Sequence, residues 1–344
     1  MLRALGFFWG TVLVILAAGA VTLQLLGPPQ PPVVAATPAP AQPAAAQPAS
    51  TQRSALAAVT PPPAAGAAIV PPDPALLEPM QADPAASLPR VAPDGRMPMR
   101  VYAAGFDPSD ARPHIAVLVA DIGMSGQDSE DAIRTLPAAV SLAFSPYAVK
   151  PDGLLALARA HGHESLIALP LEPQNAPLND AGNFALLTGA TPAANAQRLD
   201  WALSRISGYV GATGALGRLH GERFAAAADQ MGPVLDELAA RGLLYIDPRP
   251  ARPGADRSPG TGPAFGRAVD LVIDEPALRT QVDAKLAVLE QTARDRGSAL
   301  GLVDEPAPVT MERIASWATG LSQRGFVLTP VSALARPPAP TTHP

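Results

Sequence analysis

The sequence predicts an α/β protein: an irregular (β/α)7-8 barrel preceded by a disordered Ala/Pro-rich tether and one N-terminal transmembrane helix. Three observations carry this. From His114 onward, short apolar runs of strand length alternate with amphipathic stretches of helical length, which calls for parallel strands joined by right-handed crossovers. Five strand-like runs end on a carboxylate: HIAVLVAD at Asp121, SLIALPLE at Glu172, LLYID at Asp247, LVID at Asp274 and ALGLVD at Asp304. No Gly-x-Gly-x-x-Gly or Walker-type loop follows the first run, so a nucleotide site has no support and an open doubly wound sheet is the second choice.

Taken in order, Ala4 to Leu26 is uncharged and mostly apolar, and its 23 residues suffice to cross a hydrocarbon core of about 30 Å. Arg3 precedes the run and the next basic residue is Arg53, which places the N-terminus in the cytoplasm and all that follows across the membrane. A cleaved signal peptide is the alternative, with small residues at Ala17 to Ala20. Either way the folded part is exported, and the expected location is the inner membrane with the domain on the periplasmic side. Residues 28 to 96 are dominated by Ala and Pro. Pro lacks an amide donor and Ala has little to bury, so this stretch reads as an extended spacer without a core. The absence of cysteine excludes disulfides and thiolate chemistry. Net charge is −5 with both signs dispersed and no basic block, which argues against a nucleic-acid partner.

The folded part is expected over 110–336, with 337–344 a disordered tail. Strand-like runs occur at 114–120, 139–144, 165–171, 209–212, 243–247, 269–274, 299–304 and 326–331. The intervening helices carry their own punctuation. Thr191-Pro192 forms an N-cap and N1 pair; 221–241 ends in Arg241-Gly242; Leu278, Val282, Leu286, Leu289 and Ala293 share one face of 277–296 before Gly297. Thr310 is read as the cap of a helix bearing Ile314, Trp317 and Leu321 that stops at Gly325. Loops 172–190 and 248–266, which directly follow Glu172 and Asp247, are long enough to be functional. In β/α folds the carboxyl ends of strands are where ligands bind and chemistry occurs. The plainer reading is that each acid caps the next helix or breaks a turn.

The strings IAVLVADIG, VSLAFSPYA, GHESLIALPLEP, YVGATGALG, RGLLYID, ALGLVDEP and FVLTPVSAL follow one another in the order found in the divergent polysaccharide deacetylase family. The resemblance spans roughly 112–336. It implies a deformed β/α barrel of the carbohydrate-deacetylase and glycoside-hydrolase type, a role in carbohydrate metabolism, and a glycan or cell-envelope polysaccharide as partner, with an envelope protein as a further partner. Polysaccharide deacetylases use an Asp and two His to hold a divalent metal, a second Asp as base and another His as acid. By this resemblance Asp121 and Glu172 are the metal ligands, and Asp121, Asp247 and Asp304 the catalytic acids. The set is oxygen-rich, so Mn²⁺, Mg²⁺ or Ca²⁺ suits it better than Zn²⁺. The chain also departs from the pattern. Ala120 stands where a base is usual, Ala168 where a metal His would fall, Gly214-Ala215-Leu216-Gly217 where Asn-His-Met-Gly is usual, and Asp304 where a His is usual.

The remaining candidates have structural readings. His163 and Glu164 lie before a strand, at its amino end, and fit a structural turn with His163 hydrogen-bonded locally; His114 is read the same way. His220, just after the altered Asn-His-Met-Gly position, is read as a solvated loop residue, with an acid or ligand role taken over from that next turn as the alternative; Trp201 and Trp317 are read as packing residues. Two functions remain open: a metal-assisted carbohydrate de-N- or de-O-acetylase, and a non-catalytic head that binds a glycan or a protein.

Overall fold

A computed structural model describes residues 66–80, 83–251 and 264–337. The expected membrane span, the first part of the spacer, most of the loop after Asp247 and the C-terminal tail lie outside the described residues. Among those described, no helix is long and apolar enough to cross a membrane.

The elements, in chain order, are β1 (Leu77–Pro79), β2 (Ser87–Pro89), α1 (Pro98–Val101), β3 (His114–Ile122), α2 (Gly126–Thr135), β4 (Ser141–Phe144), α3 (Asp152–Ala160), β5 (Ser165–Ala168), α4 (Pro192–Leu203), β6 (Gly211–Thr213), α5 (Glu222–Ala226), α6 (Ala228–Ala240), β7 (Leu244–Asp247), β8 (Gly266–Ala268), β9 (Leu271–Val272), α7 (Arg279–Arg296), β10 (Ser298–Val303), α8 (Pro308–Thr319), β11 (Val327–Leu328) and α9 (Val331–Leu334). Each of the eight strand-like runs read from the sequence overlaps a strand.

The main sheet runs β8-β7-β6-β5-β4-β3-β10-β9, with β11 beside the start of β3, and its pairings are parallel. The strands at the two ends of this order, β8 and β9, are joined by only Val269 and Asp270. Val269 N–H donates to Asp247 O of β7 at 3.0 Å, and Asp270 N–H donates to Leu300 O of β10 at 2.8 Å. One segment therefore reaches both edges, and the sheet is curled and barrel-like. A doubly wound sheet would reverse its strand order at a switch point, whereas this order is cyclic.

The curl explains the uninterrupted apolar run of β3. Ile115, Val117 and Val119 pack outward under the helices, while Ala116, Leu118 and Ala120 face an inner core with Leu166, Val210, Leu244, Ile246, Leu300 and Leu302. Both faces are buried, so alternation with polar residues disappears.

The Ala/Pro-rich spacer expected to run to residue 96 ends earlier. Asp73 caps a short 3-10 turn over Pro74–Leu76 by accepting from Ala75 N–H, β1 and β2 form an antiparallel pair, and α1 follows. Leu76, Ala92, Met99 and Tyr102 join Val331 and Leu334 of α9 in the inner core. Proline is tolerated here because it sits at strand ends and in first helical turns. A few apolar anchors are enough to hold the arm against the curled sheet. The hydrogen bond from Ile69 N–H to Arg159 O, at the end of α3, places the start of the arm at the amino end of the strands.

Helix boundaries differ from expectation in three places. The helix read over 221–241 breaks into α5 and α6 at Ala227, which is extended. Phe224, fully buried, ties α5 to the loop after β5 through its N–H to Glu172 O. Pro308, at the first turn, starts α8 before Thr310, which lies buried inside the helix. Leu278 stands before α7 and is exposed, while Val282, Leu286, Leu289 and Ala293 are buried as their spacing requires.

Candidate functional site

Asp121 is the residue that the fold treats most unusually. Between Val119 and Ile122 the register of β3 against β4 shifts: Val119 faces Leu142 and Ile122 faces Phe144. After this bulge Ile122 packs in the outer core with Ile115, Val117 and Val119, so the in-out parity has flipped. Asp121 absorbs the irregularity with φ +60°, a left-handed conformation uncommon for any residue but glycine. Its carboxyl makes no hydrogen bond or ion pair among the described residues. Burial, with a smaller contribution from the negative charge of Glu305, pushes its pKa up to about 6.

The turn after β6 comes to it from across the curl. Leu216 and Leu219 exchange backbone hydrogen bonds of 2.9 and 3.1 Å, which folds Gly217 and Arg218 into a tight tip. Gly217, at φ +53°, lies so close that a Cβ there would sit 3.7 Å from the Asp121 carboxyl carbon. Arg218 pairs with Glu305, Nε to Oε1, at 3.1 Å. His220 Nε2 lies 2.7 Å from Asp304 Oδ1, and both side chains are almost wholly buried. Gly221, at φ +62°, allows the turn to pass Leu171, whose Cβ would meet an added Cβ at 2.4 Å. One turn thus touches acids at the ends of β3 and β10, three and four places away from β6 in the strand order.

Asp274 supports this arrangement. It accepts the N–H groups of Asp304 at 2.9 Å and Glu305 at 3.2 Å, and so fixes the turn that presents Asp304 to His220. Burial, reinforced by Asp304, raises its carboxyl to about 6. His220 is opposed by burial, but its hydrogen bond and attraction to Asp304 prevail and its pKa is raised.

The sequence model of divergent polysaccharide deacetylases matches residues 117–335. The chain belongs to the divergent polysaccharide deacetylase family. Among solved structures, an uncharacterised protein from Agrobacterium tumefaciens is 30% identical with a TM-score of 0.64, covering 72% of this chain and 99% of that one. A candidate cellobiose-phosphate cleavage protein from Enterococcus faecalis is 13% identical with a TM-score of 0.44, covering 65% of this chain and 100% of that one. A search of curated proteins found no match.

For a divergent polysaccharide deacetylase, the other expected acids are differently employed. Glu172 Oε2 accepts the Thr188 N–H and hydroxyl, both at 2.6 Å, and Oε1 lies 3.2 Å from Arg223 Nη1. Burial opposes its ionisation, yet Thr188 and Arg223 outweigh that and hold its pKa below the ordinary value. Asp247 is gripped at both oxygens by Arg249, through N–H and Nε on Oδ1 and Nη2 on Oδ2 at 2.6 Å. These two acids sit at the same end of the sheet as Asp121, but Asp247 is committed to Arg249 and Glu172 to Thr188 and Arg223.

The donor set does not fit the metal that the family resemblance implies. Among the described residues no three His, Cys, Asp or Glu come together to hold one. The expected pair Asp121 and Glu172 lacks a third ligand, because Asp247 is bound by Arg249, Asp304 by His220, and Ala168 offers a buried methyl.

His163 and Glu164 lie away from this end, as read. His163 places Nδ1 2.8 Å from Val140 O and Nε2 3.0 Å from Ile133 O. Glu164, fully buried, accepts from Ala104 N–H, the Ser141 hydroxyl, and the N–H and hydroxyl of Ser332. It stitches the arm, β4, β5 and α9 together at the amino end. His220 departs from the plainer expectation: it is no solvated loop histidine but is paired with Asp304. The alternative expectation rests on the loss of the family's imidazole at Ala215 with a histidine retained in the next turn.

Proposed function

We propose that this chain is an exported, membrane-tethered acyl hydrolase acting on an envelope polysaccharide, with Asp121 as base and the His220–Asp304 pair as acid. The observation that carries the reading is Asp121: a strand-end carboxyl in a strained left-handed conformation, unpaired and partly buried, at the end of the sheet where β/α folds do their chemistry. A carboxyl with a pKa near 6 is mostly ionised at neutral pH and still basic enough to take a proton. It would remove a proton from water as the water oxygen bonds to the acyl carbon. The C–N or C–O bond to the sugar then breaks, and the leaving atom takes its proton from His220. Nε2 of His220 is held by Asp304, which leaves Nδ1 for that donation. Arg218, paired with Glu305, brings positive charge to the same turn.

Export and tethering are supported by the uncharged apolar stretch Ala4–Leu26 behind Arg3. The test of the chemistry is release of acetate from an acetylated chitooligosaccharide by the full chain. Asp121→Asn is expected to lower the rate by a factor on the order of 100 or more; an unchanged rate in that variant refutes the assignment. A second reading, a binding head without catalysis, is favoured by Ala120, Ala168 and Ala215, which put fully buried methyl groups where the family pattern has polar ones. Glycan binding by the wild type with no acetate release at any pH would select it.

A further inference from the structure

In the helix layer, α4 and α6 flank a groove of about 470 Å3. Leu199 and Val234, both buried, form its floor, and Ala193, Ala196 and Pro233 are exposed along its walls. The two helices are clasped at both ends. Asn195 Nδ2–H donates to Gln230 Oε1 at 3.1 Å near their starts, and Arg241, just past α6, lies 3.8 Å from Asp200 of α4. At Asp200 and Arg241 the groove runs on into a second depression of about 420 Å3, walled by Met80 and Leu88 of the arm.

The charges along it are one-sided. Four carboxylates, those of Glu78, Asp200, Asp229 and Glu237, face the single guanidinium of Arg241. Arg241 is almost wholly buried and already spent: it lies 2.8 Å from Glu78 and 2.7 Å from Glu237, and donates to Pro89 O at 2.9 Å. Asp229 takes part in no ion pair among the described residues. Burial raises the Asp200 carboxyl against the pull of Arg241, and Glu237 and Glu78 push it the same way. Crowding of like charges is relieved by an incoming cation.

We propose that this groove seats an amphipathic helix of a protein partner, its apolar stripe on Leu199 and Val234 and its lysines or arginines among the four acids. Between their first and last turns α4 and α6 satisfy their own backbone groups. The walls therefore offer an extended peptide no main-chain partners, whereas a helix brings its own hydrogen bonds. At about 1.5 Å per residue the 12 residues of α4 run ~18 Å, room for about three turns of a guest. The groove lies outside the curled sheet, so the proposal stands apart from the acid–base reading at Asp121.

The probe is a helical peptide of about 14 residues with leucines at i, i+3, i+4 and i+7, lysines on both flanks and a benzophenone in the leucine stripe. It is photo-crosslinked to the full chain over a range of concentrations, and the crosslinked sites are mapped by mass spectrometry. Crosslinks are expected within 192–200 and 230–241. Half-saturation should come at a concentration about tenfold or more below that of the same peptide with glutamates for lysines. Ala196→Arg fills the groove and answers its acids, and Asp229→Lys reverses the charge at its head; both positions are exposed, so the core is untouched. Ala196→Arg should raise half-saturation about tenfold or more, and Asp229→Lys about threefold or more. No crosslinks, crosslinks elsewhere, equal labelling by the glutamate peptide, or undiminished labelling of either variant overturns the proposal. So does a dimer in sedimentation that Ala196→Arg dissolves, which would put a second copy of the chain in the groove.

Discussion

Leu76→Ala tests whether the arm that precedes the family-matched region belongs to the folded unit. Leu76 has no exposed surface and sits with Met99 and Tyr102 against the inner residues of the curled sheet. Truncating a leucine in such a site costs the transfer energy of the lost methyl groups plus the cavity they leave, together ~2–5 kcal/mol. At roughly 2–4 °C per kcal/mol for a domain of this size, the melting temperature should fall by ~4–20 °C. Val70, half exposed in the same arm, is the control: Val70→Ala should change stability by no more than ~0.5 kcal/mol. The assay is urea unfolding followed by circular dichroism, with the midpoint and slope both recorded. A Leu76→Ala variant within ~0.5 kcal/mol of wild type would show that the arm does not close the inner core and would refute the packing argument. A reduced slope with an unchanged midpoint would refute it too, since it would mean the arm unfolds separately.

Two further outcomes follow from the titrating groups. Burial raises the Glu164 carboxyl against the pull of its Ser332, Ser141 and Ala104 hydrogen bonds, so the native state holds a proton that the unfolded chain has lost above its ordinary value of 4.5. Its stabilising contribution is therefore present below that value and lost as pH rises through the folded pKa; the margin of wild type over Glu164→Gln in urea midpoint should shrink as pH climbs from 4.5, and a constant margin would contradict the burial argument. For the hydrolase reading, Asp304→Asn removes the interaction that raises His220, so the alkaline limb of the rate profile should move to lower pH, measurable as kcat/KM against pH; a limb that stays in place assigns the acid elsewhere.

Much of the architecture is legible in the chain because it is local. The run from His114 to Ala120 has no polar interruption, and only a strand buried on both faces needs that. Gly297 closes α7 at φ +78° where its position predicts a left-handed cap. What escapes is non-local or diluted. Asp304 and His220 are 84 residues apart and meet only because the turn after β6 crosses the curl. The unpaired state of Asp121 depends on a bulge that is a property of β3 against β4, with no local mark in the residues around it. In the arm, four anchors among many prolines and alanines are invisible to any average over composition, although Leu76 alone shows that the segment has a place to go. Arg249, two residues after Asp247, was the one committed partner near enough in sequence to be read directly.

The arm enters at the end of the sheet opposite the acids, and this sets the direction of any mechanical load. A pull on the chain upstream of residue 66 is delivered first to the segment that stoppers the amino end, through Ile69 and the turn at Pro74–Leu76. It does not act on the turn that carries Gly217 and His220. The stopper would yield before the end that carries Asp121 and His220 is strained.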